Sequence, residues 1–306
     1  MRSATTGALS STRTSADMRA ATIVDGRIEV VERPDPVPGD GELVIRVRAA
    51  GINGADLAQR AGRYPPPAGA TDVPGLECAG EIADGRRVMA LLSGGGQAEL
   101  AVAHETHLLP VPDGMGWDEA GGFVEVFATA HDALFTQAEL SAGERLLVNG
   151  AAGGVGVAAV QLGLAAGAAV TANARHHHDE LRALGADTSL EGEYDVILEL
   201  VGGENLATDL ERLALKGRIS VIGTGAGSRA EIEFGHLTRK RGRIHGSTLR
   251  ARSIEEKARV MAALGAFAAK HPFRVPVEEA FPLARTQDAY ERFRAGNKFG
   301  KIVVCP

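Results

Sequence analysis

The chain of 306 residues reads as an α/β protein in two parts, a β-rich domain followed by a domain built on a parallel sheet. Three observations predict this. From Met18 to about Gly121, short β-runs are separated by Gly and Pro, the pattern of a compact all-β unit. From about residue 122, strands and helices alternate, which calls for a parallel sheet covered on both faces. Between the first strand and first helix of that alternation lies a glycine-rich turn of the phosphate-binding kind.

Residues 1–17, MRSATTGALSSTRTSAD, carry two arginines and no acid before Asp17. They contain no apolar stretch of signal-peptide length, so the segment reads as a disordered, dispensable tail before the strand-like MRAATIV that opens at Met18. The β-runs that follow include ELVIRVRAAGIN (42–53), RRVMALLS (86–93) and QAELAVA (97–103). In the second part LLVNGA (146–151) is a strand and GGVGVAAVQLGLAAG (153–167) a helix. AAVTANA (168–174) is the next strand and HHDELRALG (177–185) the next helix. YDVILELV (194–201), a helix near 203–215 and GRISVIG (217–223) continue the alternation. Ser253 and Glu256 form a capping box that opens a helix over 254–270, in which Ile254, Ala258, Met261, Leu264 and Ala268 recur at helical spacing. GKIVVC (300–305) is a last strand, which either extends the parallel sheet or returns to the N-terminal domain.

One stretch is short. Eight residues separate the helix ending near Gly185 from the strand starting at Tyr194. A further strand with its crossover helix needs about a dozen or more, and eight extended residues reach at most ~28 Å. The third strand of the sheet is therefore predicted to be rudimentary or missing.

Composition narrows the function classes. A net charge of -6 offers no basic face for nucleic acid. No apolar run approaches the ~20 residues that span a bilayer. Cys78 and Cys305 alone make neither a disulfide framework nor a four-thiolate zinc site, which suits a reducing cytoplasm.

The turn Ala152-Gly153-Gly154-Val155-Gly156 is the dinucleotide fingerprint with Ala151 in place of the first glycine. Gly153 allows close approach of a pyrophosphate, Gly156 allows close helix–strand packing, and the helix N-terminus presents free N–H groups. At the end of the second strand, where NAD enzymes place an acid for the ribose 2′-OH, stand Asn173, Ala174, Arg175 and His176, with no acid before Asp179. A neutral residue followed by Arg suits the 2′-phosphate of NADP. A charge-assisted bond of ~1.5–3 kcal/mol gives a preference of roughly 10- to 100-fold. The run His176-His177-His178 is not a metal clip, because adjacent residues on a helix point about 100° apart. It reads as the rim of the 2′-phosphate pocket, with His176 assisting Arg175.

Five motifs resemble one family: GINGADLAQRAGRYPPPAGA (51–70), VPGLECAGE (73–81), MALLSGGGQAEL (89–100), VNGAAGGVG (148–156) and GSTLRARSIEEK (246–257). Together they are similar to the zinc-free quinone oxidoreductases of the zeta-crystallin type, within the medium-chain dehydrogenase/reductase superfamily, over nearly everything from Met18 onward. The resemblance implies a GroES-like catalytic domain of residues 18–121 and 271–306 around a Rossmann NADP-binding domain of residues 122–270, in a homodimer paired through Rossmann edge strands. It implies an NADPH-dependent oxidoreductase passing hydride to a quinone-like conjugated acceptor. By the same resemblance, Tyr64 and Asn53 are the catalytic candidates, the tyrosine as acid, and Thr129 contacts the nicotinamide. Val201 and Gly202, with Gly223, Thr224 and Gly225, follow parallel strands at their carboxyl ends, where ligands bind in such folds. Glu125 matches a family glutamate and is read as structural.

Zinc-dependent relatives carry a Cys near the position of Asn53 and Gly-His-Glu where this chain has Gly75-Leu76-Glu77; Leu76 cannot ligate, so no metal is expected. The chain departs from the family at Ala174, Arg175, His176 and His177, where relatives often have Ser and Lys, and in a shortened hairpin at 80–88 that opens one side of the cleft. Two other readings stand beside the leading one. One is an NADPH-dependent reductase of a conjugated C=C bond in an enal, enone or enoyl thioester. The other is a non-catalytic NADPH-binding protein.

Overall fold

The computed structural model describes residues 17–306; the tail expected over residues 1–17 lies, but for Asp17, outside the described residues. An antiparallel hairpin of β1 (Asp17–Val24) and β2 (Arg27–Pro34) comes first. Next come β3 (Glu42–Gly51), the short helix α1 (Gly54–Arg60), β4 (Glu77–Glu81), β5 (Arg87–Leu91), β6 (Leu100–His104) and β7 (Leu108–Pro110). The alternation of β3 is physical: Ile45, Val47 and Ala49 are buried while Arg46 and Arg48 face water. The short hairpin between β4 and β5 closes through Ile82 and Arg86, with Gly85 at φ +85°.

The chain then enters α2 (Trp117–Gly121) and α3 (Val124–His131), which runs on through a π-helical turn to Gln137. The sequence reading places no helix here. Val124, Val126, Phe127, Ala128 and Ala130 are all buried, so α3 is apolar on nearly every side and lacks the polar face that makes a helix visible. One core cluster takes in Ala79, Met89 and Leu91 of the β-rich sheet and passes through α3 to the helices beyond it.

The alternating part follows the expected order: β8 (Arg145–Asn149), α4 (Gly154–Ala165), β9 (Ala169–Asn173), α5 (His178–Ala183), β10 (Tyr194–Glu199), α6 (Asn205–Arg212), β11 (Leu213–Val221), α7 (Phe234–Lys240), β12 (Arg243–Gly246) and α8 (Ile254–Ala268). Five parallel strands lie in the order β12-β11-β10-β8-β9. The third strand is reduced to one residue, as its length requires: Asp187 bridges Thr171, its N–H bonding Val170 O at 2.9 Å and its C=O taking the Ala172 N–H at 2.7 Å. β11 starts four residues earlier than the pattern at 217 suggests. Leu213 pairs with Tyr194, after which the register shifts and Lys216 takes φ +64°. The capping box at α8 is formed, with Ser253 Oγ accepting from Glu256 N–H at 3.2 Å and Glu256 Oε2 from Ser253 N–H at 3.0 Å.

The chain ends with β13 (Val277–Pro282), α9 (Thr286–Arg294) and β14 (Lys301–Cys305). β14 pairs parallel with β13 and antiparallel with β3, so the last strand returns to the β-rich sheet. That return places Lys301 in the interior between the two sheets.

Candidate active site

At the end of β8 the chain turns through Gly150 (φ +75°) into α4. Gly153 caps the helix in an extended conformation with no side-chain cap, so the first-turn N–H groups are left for a ligand. Residues 152–155 open to the cleft while Ala151 and Gly156 on either side are buried. A Cβ on Gly156 would lie 2.4 Å from Gly150 O and 2.6 Å from Ala151 Cα, so only glycine lets helix and strand meet here.

The loops beyond the strand ends are stitched together beneath this turn. Glu199 Oε1 accepts the N–H groups of Val201 (2.5 Å) and Gly202 (2.7 Å), and its Oε2 accepts from Asn149 Nδ2 at 2.7 Å. Asn149 Nδ2 also donates to Asp209 Oδ1 at 2.7 Å, and Asn149 Oδ1 accepts from Asn173 Nδ2 at 2.8 Å. Burial and the Glu199 carboxylate beside it push the Asp209 carboxyl up to about 8, so Asp209 holds its proton at neutral pH. Gly202 bridges Gly227, and Gly223 lies so close to Leu200 O that a Cβ has no room. Val201, Gly202, Gly223 and Thr224 are thus brought together, and Gly225 has open space around it.

Arg175 and His176 are exposed just past β9. The member of the histidine run whose ring is engaged is His177. It takes a left-handed conformation (φ 67°, ψ 33°), bonds Glu180 through Nδ1 at 2.9 Å and packs its ring 5.6 Å from Phe299. Its Nε2 is buried without a partner among the described residues. Among the described residues no group of three or more His, Cys, Asp or Glu could hold a metal ion.

On the other side of the cleft, Asn53 caps α1 and enters a buried polar corner. Lys301 Nζ donates to Glu77 Oε1 (2.6 Å), Asn53 Oδ1 (2.6 Å) and Ile52 O (3.0 Å), and Asn53 Nδ2 donates to Glu77 Oε1 at 2.9 Å. Glu77 and Lys301 are 1% and 2% exposed, so this is a fully enclosed ion pair. The lysine stem runs past glycines: a Cβ at Gly51, Gly122 or Gly154 would meet it at 2.9, 3.1 or 2.7 Å. Asp56, also enclosed, takes the N–H groups of Asn53 (2.8 Å) and Gly75 (3.0 Å), yet burial still lifts its carboxyl to about 6.

Tyr64 stands apart from this corner. Its hydroxyl shares a hydrogen bond with Thr248 Oγ1 at 2.9 Å, and the Arg250 guanidinium lies 5.2 Å from its ring centre. Arg250 reaches Ser93 O (2.9 Å), Tyr64 O (3.2 Å) and Gln59 Oε1 (2.7 Å), so it ties the Tyr64 loop to the entry of α8. Lys257, in the first turn of α8, donates to Ser93 Oγ at 2.6 Å. Thr129 and Glu125 lie on α3, between this wall and the phosphate-binding turn.

Glu77 and Lys301 are the site residues that sequence reasoning missed. Both sit in quoted motifs, VPGLECAGE and GKIVVC, but their pairing spans 224 positions and no local pattern announces it. The one available signal was a lysine opening an otherwise apolar strand.

Comparison with known proteins agrees with this architecture. Residues 39–139 match the alcohol dehydrogenase GroES-like domain, and residues 167–304 the zinc-binding dehydrogenase family. The chain is 30% identical over 299 residues to a quinone oxidoreductase of Lama guanicoe, covering 88% of this chain and 90% of that one. It superposes with a TM-score of 0.82 on the quinone oxidoreductase of Thermus thermophilus, solved also in complex with NADPH. The identity there is 30%, with 94% of this chain and 100% of that one covered. A polyketide synthase of Streptomyces halstedii is 36% identical over 207 residues, 60% of this chain but 4% of that one.

Proposed function

The chain belongs to the quinone oxidoreductase family of medium-chain dehydrogenases/reductases, and from that premise we propose that it passes hydride from NADPH to a quinone-like conjugated acceptor without zinc. The observation that carries this reading is contiguity. Gly154 of the phosphate-binding turn lies against the stem of Lys301 and against Val126 of α3, so cradle and polar corner are walls of one cleft.

A dinucleotide fits the residues present. The first turn of α4 has no side-chain cap, residues 152–155 are open, and Gly156 and Gly223 admit no Cβ where backbone must come close. Bound there, the reduced nicotinamide supplies a hydride. The N–H groups at the start of α4 would hold the pyrophosphate, with Val201, Gly202, Gly223, Thr224 and Gly225 lining the strand ends beside it. Arg175 is exposed and is the cation for a 2′-phosphate. Thr129 would face the nicotinamide, and Tyr64 and Asn53 would donate hydrogen bonds to the acceptor, the asparagine with its second amide hydrogen.

Zinc has no place at the corner. The Lys301 ammonium already supplies the positive charge between Asn53 and Glu77, Leu76 is buried and apolar, and burial beside Glu77 raises the Cys78 thiol far above neutrality. Among the described residues β12 ends the parallel sheet with one edge unpaired, the edge expected to join two copies in a homodimer. No helix among the described residues is long and apolar enough to cross a membrane.

The test measures NADPH and NADH binding by fluorescence, then their oxidation against quinones, enals, enones and enoyl thioesters. Quinone turnover with NADPH preferred is the expected result. Turnover confined to C=C acceptors would make the protein an enoyl or alkenal reductase, and saturable binding with no turnover would overturn the enzymatic reading.

A further inference from the structure

α3 is closed on every side but one. From Gly121 to His131 only Glu125 and Thr129 are partly open, and residues four apart lie one above the other on a single helix face. That face borders the cleft. The Glu125 N–H donates to Glu77 Oε2 at 2.9 Å, which holds the residue one hydrogen bond from the Glu77–Asn53–Lys301 corner. Its neighbour Val126 touches the phosphate-binding turn at Gly154. The Glu125 carboxyl itself makes no hydrogen bond and no ion pair with any described residue.

The charges around it are committed elsewhere. Glu77 faces it from β4, Asp56 from α1, Lys301 from β14 and Lys257 from α8, with Arg250 just before α8. Lys301 donates to Glu77, Asn53 and Ile52, Lys257 to Ser93, and Arg250 to Ser93, Tyr64 and Gln59. A half-buried carboxyl without a partner loses part of its hydration with nothing to replace it, so its place in the cleft calls for a use.

We propose that Glu125 is the catalytic acid of the reaction, donating its proton to the acceptor oxygen as hydride arrives; this rests on the cleft being the hydride-transfer site. The acceptor takes up a hydride, two electrons and a proton, from the reduced nicotinamide, which is oxidised. The carboxyl O–H bond breaks with its electron pair left on the carboxylate, and the proton forms the O–H bond of the quinol or enol. Water then returns a proton to Glu125. Burial, followed by repulsion from Glu77, pushes this acid up to about 8 against the pull of Lys301, which leaves it protonated and poised near neutral pH. Tyr64, bonded to Thr248, keeps the role of hydrogen-bond donor.

Glu125→Gln and Glu125→Asp test this in the full chain. Infrared difference spectra of the wild type between pH 6 and 10 should show two protonated carboxyls that ionise near pH 8, one missing from Glu125→Gln and the other, that of Asp209, retained in it. With quinone, wild-type kcat/KM should fall above that pH. Glu125→Gln should be lower by about 100-fold and flat across the window, while Glu125→Asp keeps the limb and part of the rate. NADPH affinity should be unchanged in both variants. A Glu125 carboxyl already ionised at pH 6, or a Glu125→Gln enzyme with the wild-type rate and pH profile, overturns the role alone. A wild type that oxidises no nicotinamide with any acceptor overturns the reading of the cleft, and the role with it.

Discussion

Replacing Lys301 by methionine removes an ammonium that serves three acceptors, Glu77 Oε1 and Asn53 Oδ1 at 2.6 Å and Ile52 O at 3.0 Å. Methionine has nearly the same reach, so contact with Gly51, Gly122 and Gly154 survives and the loss is electrostatic. Glu77, 1% exposed, is left as a buried anion with only the Asn53 amide and the Glu125 N–H, both at 2.9 Å, to hold it. Breaking one side of a buried pair costs about 3–5 kcal/mol. With an unfolding entropy of about 2.1 cal/mol/K per residue, a chain of this length has roughly 0.6 kcal/mol/K, so Tm should fall by ~5–8 °C. The double variant Lys301→Met/Glu77→Gln removes the stranded charge, keeps an acceptor for Glu125 N–H, and should recover most of the loss. Scanning calorimetry of the wild type, both single variants and the double variant closes the cycle. A single variant within ~1 kcal/mol of wild type, or a double variant no more stable than Lys301→Met, would refute the account of this corner as a charge-compensated pair.

Arg175→Ala should raise the KM for NADPH by about 10- to 100-fold and leave that for NADH unchanged, since only one carries the 2′-phosphate; equal effects on both would return Arg175 to the ordinary surface. Asp209 gives a pH signature. Its folded carboxyl, near 8, holds a proton that the unfolded chain has lost, so stability falls as pH rises from the ordinary carboxylate range toward 8. Asp209→Asn should make the fall of Tm between pH 6 and 9 shallower, the Glu125 carboxyl keeping part of it, and be more stable than wild type at pH 8, measured by thermal melts. Parallel curves for the two proteins would refute the raised Asp209 carboxyl.

The dinucleotide-type turn was legible because its requirements are local. A strand, three glycine positions and a helix start within a dozen residues, and the steric reason for Gly156 is a contact with Gly150 and Ala151 a few residues away. The α8 capping box was legible for the same reason. The single-residue third strand followed from chain length alone, since eight residues cannot make a crossover. α3 was not legible, because a helix buried on almost every side has no polar stripe. The histidine run lies past β9 as read, but which histidine has its ring engaged depends on Phe299 and Glu180 and on the left-handed backbone of His177.

What the sequence determined by itself was the kind of protein: a β-rich part, an alternating part, a phosphate-binding turn and a neutral-then-basic end to the second strand. Each is written in neighbouring residues, where propensity, glycine sterics and charge act over a few ångströms of chain. What only the tertiary structure decided was the polar interior of the cleft. Glu77 meets Lys301 because the last strand returns to the first sheet. The Glu125 carboxyl is left without a partner among the described residues because every nearby cation is already engaged by a residue distant in sequence. Burial and pairing across hundreds of positions set the charge state of such groups, and no window of sequence contains both partners.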